Sequence, residues 1–155
     1  MKMTETKHVL ITLFILFLII GITYIYFFDK EEVNNYEPSS PEEVVKQYFT
    51  SWNDMNYPEM YSAFSDGFKK IEPTANDLRA FTEYVKSQHI DKVIVKKIEE
   101  KSNDGRTAIV DYAVEFVLKN KSKTSFDGTF TLKYKQGDII PGWKLIHPYG
   151  ENIDL

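Results

Sequence analysis

One histidine in this chain stands where it could serve as a general base. His147 lies in the closing run "WKLIHP", and strand alternation sets it on the same side as Trp143 and Leu145. Proton transfer needs a titratable group within hydrogen-bond reach of a substrate, and no second such group shares that face. A hydrogen-bonded structural histidine is therefore the expected role. His8 and His89 show no ligand spacing with it, and the chain has no cysteine, so neither a metal site nor a thiol nucleophile is expected. The serine-hydrolase elbow, the P-loop and the dinucleotide-binding glycine pattern are all missing, and no cofactor is expected. Asn120-Lys121-Ser122 is a glycosylation sequon within a polar hairpin tip, which makes Asn120 a modification candidate.

The elements that would position these residues can be read in order. In "SSPEEVVKQYFTSW" Ser40 suits an N-cap, Pro41 the first helical position, and Glu43 completes a capping box. Val44, Tyr48 and Trp52, with Val45 and Phe49 beside them, make one apolar face. A second helix, "YPEMYSAF", is predicted to stop at Asp66-Gly67, and a third to start near Thr74 or Asn76 and fray by His89. The period then changes to two. "KVIVKKIEEK" predicts a strand, "SNDG" a turn, and Arg106 to Lys119 a long second strand with Ala108, Val110, Tyr112, Val114, Phe116 and Leu118 on one face. A third strand alternates Phe126, Gly128, Phe130, Leu132 and Tyr134, and "QGDIIPG" separates it from the last strand.

Three helices followed by about four antiparallel strands make an α+β domain with the helices over the apolar sheet face. The run "SPEEVVKQYFTSWNDMNYPEMYSAFS", the long hairpins and the closing "GWKLIHP" resemble the nuclear transport factor 2-like superfamily, through positions such as Trp52, Tyr57, Phe64 and Trp143. They look most like its small extracytoplasmic members, including the domain that follows the membrane anchor of some penicillin-binding proteins. The resemblance implies a cone, a strongly curved sheet around the first helix with an interior that can hold a ligand. Enzymes of the superfamily that dehydrate or isomerise small molecules resemble one another in placing a tyrosine, an aspartate or a histidine inside the cone, which implies Tyr48, Tyr61, Asp111, Tyr112 and His147 here. Asp111 and Tyr112 are neighbours on a strand and point to opposite faces, so they cannot both line it. The pocket-lining set expected is Tyr48, Trp52, Tyr112, Phe116, Phe130, Tyr134, Trp143 and His147. So many rings converging favour a filled aromatic core over a roomy pocket. Superfamily members also resemble one another in pairing through the outer sheet face, here Ile109, Ala113, Val117 and Ile146, although a monomer is expected over a homodimer. The superfamily's penicillin-binding members continue into a transpeptidase; the residues up to Leu155 contain none, so cross-linking is not expected of them.

The amino-terminal composition is different. "VLITLFILFLIIGITYIYFF", residues 9–28, has no charge and no proline, and its 20 residues span about 30 Å as a helix, the thickness of a bilayer core. No small-x-small cleavage site follows, and no polar stripe interrupts the run, so a permanent single-pass anchor is expected rather than a signal peptide or a core helix. Lys2 and Lys7 precede it and "DKEE" follows, which puts residues 1–8 in the cytoplasm and the rest outside the cell membrane. Residues 29–39 read as a polar tether, 40–150 as the extracytoplasmic domain and 151–155 as a tail. The formal net charge is −4, and the part after the anchor is more acidic still, so nucleic acid is not an expected partner.

The function these observations favour is a non-catalytic, anchored extracytoplasmic domain that binds a protein, an envelope component or a small apolar ligand. The alternatives are an anchored dehydratase-like or isomerase-like enzyme and a small subunit of a larger membrane complex. The orientation is testable. Protease added to cells with a permeabilised wall is expected to remove an epitope placed after Leu155 and to spare one placed before Met3; a protected carboxy-terminal epitope would reverse the assignment.

Overall fold

The structure, a computed structural model, describes residues 39–148. The expected anchor at 9–28, its flanks at 1–8 and 29–38, and the tail lie outside the described residues. Among those described, no helix is long and apolar enough to cross a membrane.

Helix α1, Pro41–Asn53, begins as its sequence dictates. The Ser40 hydroxyl accepts from the Glu43 amide while the Glu43 carboxylate accepts from the Ser40 amide at 2.7 Å, satisfying two donors that a helix start leaves unpaired. Asn56 caps α2, Tyr57–Ser62, and Asp77 caps α4, Leu78–Ser87. Between them the chain does not simply stop at Asp66-Gly67. Ser65 is itself an N-cap, its hydroxyl accepting from the Phe68 amide at 2.9 Å, so Asp66–Ile71 forms a further helix, α3, followed by a single 3₁₀ turn at Pro73–Ala75. The described residues thus form four α-helices where three were expected. A glycine in the first turn of α3 is tolerated because the cap and the first-turn Asp66 supply the start.

The four strands, β1 Ile90–Asn103, β2 Thr107–Leu118, β3 Lys123–Lys135 and β4 Gly142–Leu145, form one antiparallel sheet in sequence order. β2 and β3 pair without interruption. β1 breaks register against β2 at three places, between Ile90 and Lys92, Val95 and Lys97, and Glu100 and Ser102. Each extra residue bends the strand and flips its alternation, which is why Val93 and Val95 are followed inward by Ile98 rather than Lys97.

The core lies between α1 and the inner faces of β2 and β3. Val45, Phe49, Met60, Phe81, Val110, Val114, Leu132 and Leu145 are buried. Asn53, the last residue of α1, bonds to both backbone groups of Val93: its amide nitrogen donates to the carbonyl at 3.0 Å and its oxygen accepts from the N–H at 2.7 Å. At the other end of the helix Glu42 accepts from the Glu100 amide at 2.7 Å. The far edge of the sheet is covered as well, because Leu145 exchanges hydrogen bonds with Ala63 and Ser65 at 2.8 and 3.0 Å. One expectation for the outer face is corrected. Ile146 is 5% exposed and buried, since the chain leaves β4 after Leu145 and turns this side chain inward, its N–H bonding to the Thr131 carbonyl.

Phe49 is the fully buried aromatic of α1, while Trp52 is half-buried. Phe49→Ala is expected to lower unfolding stability by about 3–5 kcal/mol and Trp52→Ala by less. Asn53→Ala is expected to cost about 1–3 kcal/mol, because it strands two backbone groups at Val93. Lys46→Ala on the exposed side of α1 serves as the near-neutral control, and urea titration followed by circular dichroism gives the order.

Candidate functional site

A cavity of about 500 Å³ lies between α1, α3, the 3₁₀ turn, α4, β3 and the segment after β4. Its walls are largely aromatic because α1, α3, α4 and β3 each bring one or two rings to the same place, with Phe64 between α2 and α3. Tyr48 from α1 meets Phe64 and Phe130 edge-on at 5.5 and 6.1 Å, Phe64 stacks on Phe68 at 4.3 Å, and Phe81 closes against Phe64 at 5.4 Å. Phe64 is delivered by the pairing of Ala63–Ser65 with Leu145, a long-range contact with no local sequence signal.

Polar groups gather on one side. His147 packs edge-on against Phe68 at 5.1 Å, and its Nε2 lies 3.6 Å from Glu72 Oε2. Glu72 owes its position to local sequence. Pro73 opens the 3₁₀ turn, and Glu72 Oε1 accepts from both the Thr74 amide at 3.1 Å and the Thr74 hydroxyl at 2.7 Å. Those two bonds, the hydroxyl's first, and then the neighbouring His147, outweigh partial burial and hold the Glu72 carboxyl below the usual carboxylate range. Burial, followed by the nearby Tyr84 and Tyr112, pushes the Tyr48 hydroxyl well above the ordinary tyrosine range, so it remains a neutral phenol.

The expected site residues divide into three groups. Tyr48, Phe130 and His147 line this cavity. Tyr112 lies beneath it, stacked on Phe130 at 4.6 Å and tilted against Phe49 at 5.1 Å. Trp52 and Phe116, 5.7 Å apart, line a second cleft of about 310 Å³ beside the exposed Phe126. Tyr134 and Trp143 do not line this cavity: they pair with each other at 5.6 Å, Tyr134 38% exposed and Trp143 packed against the core. Of the further candidates, Tyr61 packs on Phe81 at 5.7 Å under the Lys69 ammonium, and Asp111 accepts from the Thr129 hydroxyl at 2.8 Å without itself lining the cavity. Asn120 is exposed at the β2–β3 tip, its side chain accepting from Ser122.

Two features escaped the sequence. The first is the cavity itself, which opens beside a core where Phe49, Tyr112 and Phe130 close on one another. Around it Tyr48 meets its neighbours edge-on and Phe64 stacks on Phe68. The second is Glu72, which supplies the carboxylate facing His147. Its signal was the "EPT" triplet, a cap sequence ahead of a proline. Gly128 has a steric task here: a Cβ at this position would lie 2.8 Å from the Tyr112 hydroxyl, so only glycine lets that ring lie across β3.

No family model matches the chain, and no curated protein matches it. Solved structures do. A SEC-C motif containing protein from Psychrobacter arcticus aligns with a TM-score of 0.51 and 11% identity over 79% of this chain and 67% of that one. A SEC-C motif containing protein from Rhodopseudomonas palustris gives 0.51 and 11% over 70% and 76%. A ketosteroid isomerase-like protein from Erwinia carotovora atroseptica gives 0.47 and 18% over 72% and 92%, and NTF2-like proteins of unknown function are also among the matches. At such identities the likeness is one of fold alone: an α+β domain with helices on one face of a four-stranded antiparallel sheet.

The Glu72 carboxyl gives a pH prediction. Its folded-state ionisation lies below that of the unfolded chain, so its stabilising effect is complete above the unfolded value, about pH 4.3, and is lost as pH falls through the folded value. Glu72→Gln is expected to be less stable than the parent near neutral pH and to converge on it in acid. Melting temperatures of the two proteins across that range check it; parallel curves would mean that Glu72 carries no such coupling.

Proposed function

We propose that this chain is an anchored, extracytoplasmic domain of the NTF2-like type whose cone binds a small, mostly apolar molecule without transforming it. One observation carries the reading: a cavity of about 500 Å³, within the range of small-molecule sites, walled largely by aromatic rings, with Glu72, Thr74 and His147 grouped on one side and Thr129 and Thr131 contributed by β3. Such a wall holds a hydrophobic body by contact area and orients it through one hydroxyl or carbonyl group. The order of elements, with the long hairpins and the closing "GWKLIHP", supports the NTF2-like assignment. The uncharged run at 9–28 and the charges that flank it support the anchor and its orientation.

A second reading has a specific observation behind it. A histidine and a carboxylate converge on the cavity, Glu72 in place of Asp111, which is the arrangement an isomerase-like or dehydratase-like enzyme would use. In that reading His147 is the base, and Glu72, held low with one oxygen committed to Thr74, is a poor base itself and would orient the imidazole.

Thermal shift and native mass spectrometry with alicyclic and aromatic compounds bearing one hydroxyl or carbonyl test the reading. Binding is expected, with affinity lost on Ile146→Trp, which obstructs the cavity, and weakened by less than about tenfold, or 1.4 kcal/mol, on His147→Ala. Failure of the whole class to bind would remove the small-ligand reading. Turnover of any bound compound that vanishes in both Glu72→Gln and His147→Ala would establish the enzyme instead.

A further inference from the structure

The β3–β4 connection carries two adjacent isoleucines in water. Ile139 is 89% exposed and Ile140 52%. Scattered apolar atoms on a surface are ordinary, but these two are held out by a dedicated brace. Asp138 accepts from the Asp66 amide at 3.0 Å, and Asp66 accepts in return from the Ile139 amide at 3.1 Å, tying the loop to the start of α3. Partial burial raises the Asp66 carboxyl's ionisation, but the Ile139 amide and the Lys69 ammonium outweigh it and hold the group below the usual carboxylate range, so the brace stays charged. Beneath the isoleucines lies a cleft of about 240 Å³ that also has the Lys69 and Lys144 side chains on its wall.

The loop's place in the sheet says what covers it. α1 runs antiparallel to β1, with Glu42 against Glu100 and Asn53 against Val93. Glu100 is near the end of β1, where the register brings together the start of β2 and the end of β3, Thr107 opposite Lys133, and then β4, Gly142 opposite Lys135. The chain therefore enters the domain, through Ser39 and Ser40, at the end of the sheet from which Ile139 and Ile140 project. The hairpin with Asn120 is at the opposite end.

We propose that Ile139 and Ile140 form a lipid-contacting tip, which seats on the outer surface of the bilayer that anchors the chain. This rests on the anchored reading of residues 9–28. Eleven tether residues span at most about 40 Å, so the tip meets that surface at high effective concentration, and two isoleucines suffice where they would not hold an untethered domain. The charges of the cleft are matched within the domain, Lys69 pairing with Asp66 at 3.4 Å and Lys144 buried against the Ser62 carbonyl, so the contact rests on the two isoleucines. The domain is thereby held with its entry end on the membrane and the Asn120 hairpin away from it.

The chain has no cysteine, so Ile139→Cys gives a unique labelling site in the full-length protein. It is reconstituted in phosphatidylcholine–phosphatidylglycerol vesicles, labelled with an environment-sensitive NBD fluorophore, and compared with Asn120→Cys. Emission from position 139 is expected to shift to shorter wavelength and to be quenched by lipids carrying nitroxides on their acyl chains. Emission from position 120 is expected to remain water-like, and Ile140→Glu to return position 139 to the water-like state. Flotation of the protein with the vesicles reports the anchor separately. Flotation with water-like, unquenched emission at position 139 overturns the tip and leaves the anchor standing. A blue shift without lipid quenching also overturns it, in favour of a protein contact. Failure to float overturns the anchored reading and the tip with it.

Discussion

The domain depends on α1 being fastened at both ends to the open edge of β1. An edge strand presents unpaired backbone groups, and here two of the positions are taken by side chains of the helix that crosses the sheet: Glu42 at Glu100 and Asn53 at Val93. A helix of 13 residues is about 20 Å long, and the strand residues between those anchor points would exceed that length if fully extended. The register breaks in β1 take up the difference by bending the strand beneath the helix. With both ends fixed, the Phe49 ring lies against Tyr112 and Phe130, and the apolar face of the helix is committed to β2 and β3.

The opposite edge follows a different rule with the same outcome. Ala63–Ser65 lies along β4 as a short backbone partner, which both covers that edge and swings Phe64 toward Tyr48. The cavity is a consequence of these two closures. α1 is held at one edge and the α2–α3 link at the other, so the rings between them meet at their edges around an open space. The same geometry brings Glu72 and His147 together from segments 75 residues apart in the chain. Thr74 satisfies one oxygen of Glu72 from within its own turn and the other faces His147, so that carboxylate is poorly suited to taking a proton and placed to orient the imidazole.

The sheet's two ends differ in character. One carries the entry of α1, the Tyr134–Trp143 pair and the braced isoleucines; the other carries the polar β2–β3 tip, where Lys121 adopts a positive φ of 69° and pairs with Asp91. Between them the outer face is a lattice of exposed ion pairs, Lys97 and Lys101 with Glu99, Lys123 with Glu115. Pairs this exposed contribute little stability, and their effect is to keep a long flat face in water. Lys144 is the exception among the lysines. It is 7% exposed and donates to the Ser62 carbonyl at 2.6 Å; burial, with Lys69 nearby, lowers its ionisation below the ordinary lysine value.

What the sequence determined alone was whatever depends on neighbours within a few residues. The Ser40–Glu43 capping box, the apolar face of α1, the Asp104-Gly105 turn and the strict alternation of β2 and β3 are local, and each is written in residue type and spacing. Even the cap that holds Glu72 was present in "EPT". Tertiary structure decided whatever needed two distant segments at once: the bulges of β1, invisible because an inserted residue blurs the period it interrupts; Ser65 starting a new helix, because the residues just before it pair with β4; and Ile146 turning inward. It also decided that a cavity opens beside the packed core. Residue types give the volume of the rings, but whether rings interdigitate or stand around a space is set by where the backbone holds them, and that is fixed by the contacts of α1 with β1 and of Ala63–Ser65 with β4.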